Sequence, residues 1–337
     1  MRGYSDVRYS KSSQDSAEES NGTFSLGQFD LYISELLTDR IELLSEFVIE
    51  GTPEGEFVVD LERLQIGYIF NDALKLRAGR FHNVLGYWNL AYHHGEQIQT
   101  GIGRPSFLRF EDEGGLLPVH LVGLWVGGRF KTAPAVLGYD LMVGNGAKVA
   151  GVGPSGGGTL DPNSAADDNK NKAVAFRLQA SPRSWPELIF NVSGNFSKVE
   201  GYDAALARTL SVEQSIVGLS ADRVMTGNGF DLLSEIYWVK DKDKMTGLGS
   251  KTNTLYYIQA EYTFMEKWTP YARYEQMLID EGDPYMTALS AVDTKTSLAG
   301  LRYELSINSV LKGETRKVNP KGAEDYYVYA FQWAFAF

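Results

Sequence analysis

Apolar and polar residues alternate along much of this chain with a period of two, the repeat of a β-strand whose side chains point to opposite faces. The pattern is clearest near the end. Tyr327, Tyr329, Phe331, Trp333, Phe335 and Phe337 share one face, and Tyr326, Val328, Ala330, Gln332, Ala334 and Ala336 share the other. Elsewhere Tyr256, Ile258, Ala260, Tyr262 and Phe264 alternate with Tyr257, Gln259, Glu261 and Thr263. Leu188, Phe190, Val192, Gly194 and Phe196 alternate with Asn191, Ser193, Asn195 and Ser197. Leu43, Phe47 and Ile49 alternate with Glu42, Glu46 and Glu50, and Val174, Phe176, Leu178 and Ala180 with Arg177 and Gln179. A wholly aromatic strand face belongs either in the middle of a soluble sandwich or against lipid. The polar opposite faces and the final Phe337 favour lipid. The expectation is therefore an all-β fold, a transmembrane antiparallel barrel with a wet, polar interior.

The segments between these strands carry a second pattern. Brief turn candidates, such as Thr38-Asp39-Arg40, Asn71-Asp72, Thr132-Ala133-Pro134, Met265-Glu266-Lys267 and Ile307-Asn308-Ser309, alternate with longer polar stretches. The longer ones are 11–22, 83–116, 146–172, 200–210, 240–251 and 279–293. Short periplasmic turns and long external loops are the barrel arrangement, and the count comes to about sixteen strands, with fourteen to eighteen compatible. The Gly- and Asn-rich stretch 151–171 sits between two good strands and is read as a loop, so residues 1–337 form one barrel domain.

Composition sharpens this reading. The chain has 19 Tyr, 17 Phe and 35 Gly among 337 residues, which suits aromatic girdles and glycine-rich turns. There is no Cys, which removes disulfides and thiolate metal sites. Net charge is -11 with no basic patch, against a nucleic-acid partner. No export signal precedes the first strand candidate, so Met1 is read as a start codon added to a mature chain.

The stretch 83–116 is too long for a simple connection, and such loops are usually functional. It carries Tyr87, Trp88, Leu90 and Tyr92, costly to leave bare, and the acidic run Glu111, Asp112 and Glu113. It is expected to fold into the lumen and constrict it, setting Glu111, Asp112 and Glu113 against Arg63, Lys75 and Arg77, with Arg80 a further candidate. By alternation Arg177, Arg273 and Arg302 are secondary lumen residues, with Lys312 and Arg316 behind them. All four histidines, His82, His93, His94 and His120, fall in this region near Glu96. His93, His94 and Glu96 are the candidates for a divalent ion. Adjacent histidines cannot readily share one tetrahedral site, so hydrogen bonding within a packed loop is the favoured role and no cofactor is assigned. Asp161, Asn163, Asp167 and Asp168 could hold Ca²⁺ but lack ordered EF-hand spacing. His93 or His94 with Ser106 or Asp112 is formally a catalytic pair, yet nothing singles it out, and an enzyme is not expected.

Several blocks of the chain resemble a known family. Leu76-Arg77-Ala78-Gly79-Arg80-Phe81, Phe107-Leu108-Arg109-Phe110-Glu111, Val122-Gly123-Leu124-Trp125-Val126-Gly127-Gly128 and Leu137-Gly138-Tyr139-Asp140-Leu141-Met142-Val143-Gly144-Asn145-Gly146 look like ordered blocks of the phosphate-selective porin O and P family. Leu232-Leu233-Ser234-Glu235-Ile236-Tyr237 and Tyr271-Ala272-Arg273-Tyr274-Glu275 are similar to its downstream strands. The resemblance implies a sixteen-stranded, usually homotrimeric porin of a Gram-negative outer membrane, passing small polar or ionic solutes by diffusion. The rival expectation is a barrel that sheathes or scaffolds a periplasmic or surface partner.

Overall fold

The strand alternation becomes one continuous sheet. In the computed structural model, which describes residues 2–14, 18–51, 55–92, 95–164, 166–167, 170–222 and 229–337, the strands run in chain order. They are β1 (Arg2–Ser12), β2 (Thr23–Leu36), β3 (Ile41–Gly51), β4 (Phe57–Asn71), β5 (Leu74–His82), β6 (His120–Lys131), β7 (Ala135–Asn145), β8 (Lys148–Ala150) and β9 (Thr159–Asp161). Then follow β10 (Lys172–Pro182), β11 (Ile189–Tyr202), β12 (Arg208–Asp222), β13 (Phe230–Asp243), β14 (Ser250–Tyr262), β15 (Trp268–Leu278), β16 (Thr294–Ser306), β17 (Ser309–Pro320) and β18 (Tyr326–Ala336). β8 and β9 are 3-residue pieces inside the 146–171 connection. The other sixteen strands each pair antiparallel with their chain neighbours, and β7 joins β10 across that connection. β1 closes the ring on β18, from Tyr4 opposite Ala336 to Ser12 opposite Val328. Among the described residues, closure leaves none of these sixteen strands with an unpaired edge, which a sheet in lipid cannot tolerate.

The usual distribution of polarity is turned inside out. On β18 the aromatic face points outward, with Phe331 62% and Trp333 54% exposed, while Gln332 and Ala334 face inward at 2% and 0%. Leu124, Leu141, Leu178, Phe190 and Ile258 are likewise exposed, whereas Glu46, Asn195, Glu235, Gln259 and Arg273 are buried. Each large apolar side chain removed from water contributes about 1.5–3 kcal/mol, so this band requires lipid or detergent. None of the described helices is long and apolar enough to cross a membrane; the crossing elements are strands.

Several strands run further than their apolar pattern suggests. β11 and β12 reach Tyr202 and Arg208, and β13 and β14 reach Asp243 and Ser250, so only 203–207 and 244–249 connect them. These connections are brief where longer ones are expected from sequence. The extra strand residues are the polar ends of hairpins, which continue the hydrogen-bond ladder beyond the apolar band.

Two local irregularities position side chains. Opposite β3, Arg63 pairs with Glu46 and Leu61 with Phe47, so Glu62 is the extra residue of a β-bulge. A bulge re-aims the inserted side chain, and Glu62 is turned into the interior at 6% exposure. On the neighbouring β5, Gly79 has φ +139° and an added Cβ would lie 1.9 Å from the Leu64 carbonyl oxygen, so only glycine fits.

Candidate functional site

The connection 83–119 enters the barrel. Its short helix α1 (Trp88–Ala91) and 3-10 turn Ser106–Leu108 bury Trp88, Phe107 and Leu108 against Tyr237 and Tyr257 of β13 and β14. A second connection, 279–293, folds over it. Helix α2 (Pro284–Ala288) starts at Asp283, whose side chain accepts from the Tyr285 and Met286 N–H groups at 2.8 and 3.0 Å. The Tyr285 hydroxyl donates to the Leu116 carbonyl at 2.7 Å. The sequence pattern predicts a long polar external loop over 279–293. The Asp283-Pro284 start signal followed by Tyr285 and Met286 could have disclosed an amphipathic turn.

The infolded backbone is held by charged wall residues. Its N–H groups donate to carboxylates: Tyr87 and Trp88 to Glu235 at 3.2 and 3.0 Å, Ile102 to Glu314 at 3.0 Å, and Ser106 to Glu275 at 2.8 Å. Its carbonyls accept from cations: Arg302 reaches Gln97 and Gln99 at 2.7 and 2.8 Å. Arg273 reaches Gly103 and Arg104, each at 3.3 Å, and Lys312 reaches Glu96 and Gly101 at 2.5 and 3.0 Å. Arg316 bonds the Ile102 carbonyl. A coil in a barrel has no ladder for its peptide groups, so side chains must supply the partners. Arg273, Arg302, Lys312 and Arg316 thus face inward and are engaged by the segment. Glu96 is held by Arg8 at 3.0 Å and Gln332 at 2.9 Å.

The opposite side of the interior remains open. A cavity of about 1250 Å³ lies against β2 to β7 and β10. Its lining contains the cations Arg63, Lys75, Arg77, Arg129, Lys131 and Arg177 against the carboxylates Glu42, Asp72 and Asp140. Arg77 donates to Glu42 at 2.6 Å and stacks over Trp125, its guanidinium 4.4 Å from the ring centre. Arg63 is bonded to Glu46, and Arg177 donates to Asp140 at 2.8 Å. Among the described residues Lys75 and Lys131 have no ion-pair partner.

The fold brings Arg63, Lys75 and Arg77 together but sets the acidic run apart from them. Asp112 borders a separate cavity of about 560 Å³, lined also by Asp60, Glu62, Arg80 and His120. Asp112 and Glu113 are exposed, whereas Glu111 is buried in a knot with His120. One Glu111 oxygen accepts from the Val119 and His120 N–H groups, both at 2.8 Å, and the other lies 2.9 Å from His120 Nδ1. Burial alone would raise the Glu111 carboxyl; the charge of His120, together with its hydrogen bonds, outweighs it and holds the carboxyl below the usual range.

His82 and His120 stand opposite each other in the β5–β6 register, their ring centres 5.0 Å apart. With Glu62 they form the group of potential metal ligands among the described residues, each offering one atom within 4.8 Å of the others. His93 and His94 lie outside the described residues. Glu96, the third candidate of that set, is the one bound by Arg8 and Gln332. Of the proposed calcium cluster, Asp161 pairs with Lys148 at 3.6 Å and Asp167 with Lys172, Asn163 bonds backbone, and Asp168 lies outside the described residues. The Ser106 hydroxyl donates to Glu275 at 2.8 Å.

Neither the known family models nor the curated proteins contain a match to this sequence. Solved structures do match in shape. An anion-selective porin from Comamonas acidovorans is similar with a TM-score of 0.65 at 14% identity, over 100% of this chain and 98% of that one. The outer-membrane channel DcaP of Acinetobacter baumannii gives 0.66 at 9% identity, over 100% and 96%. Salmonella typhi OmpF, in complex with daunomycin, gives 0.57 at 13%, over 99% and 96%. At such identities the likeness is one of fold: the chain has the architecture of these sixteen-stranded outer-membrane barrels.

Proposed function

We propose that this chain is an outer-membrane diffusion channel of a Gram-negative bacterium that passes small solutes and favours anions. The observation that carries the reading is the division of charge inside the barrel. Glu235, Glu275 and Glu314 are spent on the N–H groups of the infolded segment. The wall that still faces water carries six cations against three carboxylates. Solutes would pass between segment 83–119 and the β3–β7 wall, where a low-dielectric enclosure focuses the field. Arg63, Lys75, Arg77 and Arg177 are the residues assigned to selectivity, with Glu111, Asp112 and Glu113 conditioning the separate outer cavity. The basic wall is also what the resemblance to phosphate-selective porins would require, and inorganic phosphate is a natural solute to test.

The chain acts as a channel rather than an enzyme, and as a homotrimer; one of the similar structures is described as a trimer form, OmpT of Vibrio cholerae. A sheath threaded by a partner protein is disfavoured, because bonds from segment 83–119 to β13, β15, β16 and β17 span the lumen. The test is single-channel recording in planar bilayers with a salt gradient. Discrete conductance steps with a reversal potential on the anion side are expected. Absence of conductance from correctly folded protein would overturn the channel, and cation preference would overturn the assignment of the basic wall.

A further inference from the structure

We propose that Glu62, His82 and His120 bind one divalent transition-metal ion of the zinc type, clasping the stem of the infolded segment. Nothing about the diffusion channel requires such a site. His82 ends β5 and His120 begins β6, so the pair marks where 83–119 leaves the wall and returns to it. The bulge on β4 brings Glu62 to the same place. The three ligand atoms lie within 4.8 Å of one another, and the residues are 6%, 1% and 4% exposed respectively. His120 Nε2 is 2.7 Å from Glu62 Oε2.

The surroundings of the two rings are those of metal-binding histidines. His82 Nδ1 lies 3.0 Å from the Asn89 carbonyl oxygen, which can only accept, so the proton sits on Nδ1 and Nε2 presents a lone pair. His120 Nδ1 lies 2.9 Å from the Glu111 carboxylate, itself anchored by two backbone N–H groups. A carboxylate or carbonyl behind each imidazole fixes its orientation and raises its basicity toward a metal on the far nitrogen. Two imidazoles and one carboxylate suit zinc, with a fourth position for water. Zinc places such ligand atoms about 3.4 Å apart, so the Glu62–His120 pair would open slightly as the widest pair closes. Arg80 is 3.8 Å from Glu62 but also 3.5 Å from Asp60, which offsets its charge. His82 borders the large cavity, and Glu62 and His120 border the outer one, so the ion would sit in the partition between them.

The experiment titrates Zn²⁺ calorimetrically into metal-stripped, folded full-length protein in detergent and records the visible spectrum of the Co²⁺ form. One ion per chain and a tetrahedral Co²⁺ spectrum are expected. His82→Gln and Glu62→Gln should abolish both signals. Glu111→Gln, which keeps the ligands but weakens the support of His120, should lower affinity roughly 10–100-fold. His93→Gln with His94→Gln should leave binding intact. Folding of every variant is checked by its heat-dependent gel mobility. No uptake by the wild-type chain would overturn the proposal. Uptake that survives His82→Gln and Glu62→Gln in a folded barrel, or that vanishes with His93 and His94, would overturn it too.

Discussion

At the scale of single residues, the alternation that gives the strands also decides which charges meet the solute. Lys75 is the informative position, because it faces the large cavity without an ion pair among the described residues. Lys75→Gln removes one positive charge and disturbs no partner, so the reversal potential should move toward cations while heat stability stays unchanged. Arg77→Gln should move it in the same direction by uncovering Glu42, and should also loosen Trp125, over which Arg77 stacks. The pair of Asp167, on the outer connection, with the exposed Lys172 that begins β10 is a control. Charges beyond a Debye length, about 8 Å at physiological salt, are largely screened. Asp167→Asn should therefore leave selectivity nearly untouched; a shift as large as that of Lys75→Gln would place the selective region elsewhere. Gly79 tests the fold instead. Its φ of +139° and the Leu64 carbonyl oxygen in the path of a Cβ make Gly79→Ala destabilising by more than about 1 kcal/mol, read as a lower temperature of unfolding in detergent.

At the scale of elements, the strands were legible in the sequence and the partners of the long connection were not. Period two identifies β3, β10, β11, β14 and β18 because each has one face in lipid and one in water, and that contrast is local. The length and aromatic content of 83–116 likewise signal an infolded segment. What lies out of reach is which wall residues it touches. Its binding partners Glu235, Arg273, Glu275, Arg302 and Glu314 sit far along the chain, and only the curvature of the closed sheet brings them round. Thus Arg63, Lys75 and Arg77 cluster as their neighbouring strands suggest, while Glu111 turns to His120, a contact set by the register of the loop stem. Docking of this segment can be probed at Glu235, whose carboxylate accepts the Tyr87 and Trp88 N–H groups and the Tyr257 hydroxyl. A hydrogen bond to a charged group contributes about 1.5–3 kcal/mol. Glu235→Ala should free this part of the segment and give larger, noisier open-channel currents. Quiet currents of wild-type size would show that the apolar contacts of Trp88 and Phe107 hold the segment unaided.

At the scale of the whole molecule, the decisive event is closure, since sixteen strands become a membrane barrel only when β1 meets β18. The seam joins residues near opposite ends of the sequence, the longest-range pairing in the sheet and the slowest class of contact to form. Phe337 locks it. The Phe337 N–H donates to the Gly3 carbonyl at 3.0 Å, and the Gly3 N–H donates to the Phe337 carbonyl at 2.8 Å. The Phe337 ring stacks on Phe29 of β2 with centres 5.4 Å apart, and it occupies the space a side chain at position 3 would need. One ring therefore ties β1, β2 and β18 together. An aromatic pair of this kind contributes about 0.5–1.5 kcal/mol beyond its area. Phe337→Ala leaves the backbone bonds but removes that tie, so it should lower the temperature at which the folded band is lost on heating and slow recovery from denaturant into detergent. Phe331→Ala is the matched comparison, since Phe331 is also aromatic and outward but lies in the body of β18, away from the chain's end. If the two variants lose the folded band at the same temperature and refold at the same rate, the terminal ring contributes only lipid contact, and the seam is held by its backbone ladder.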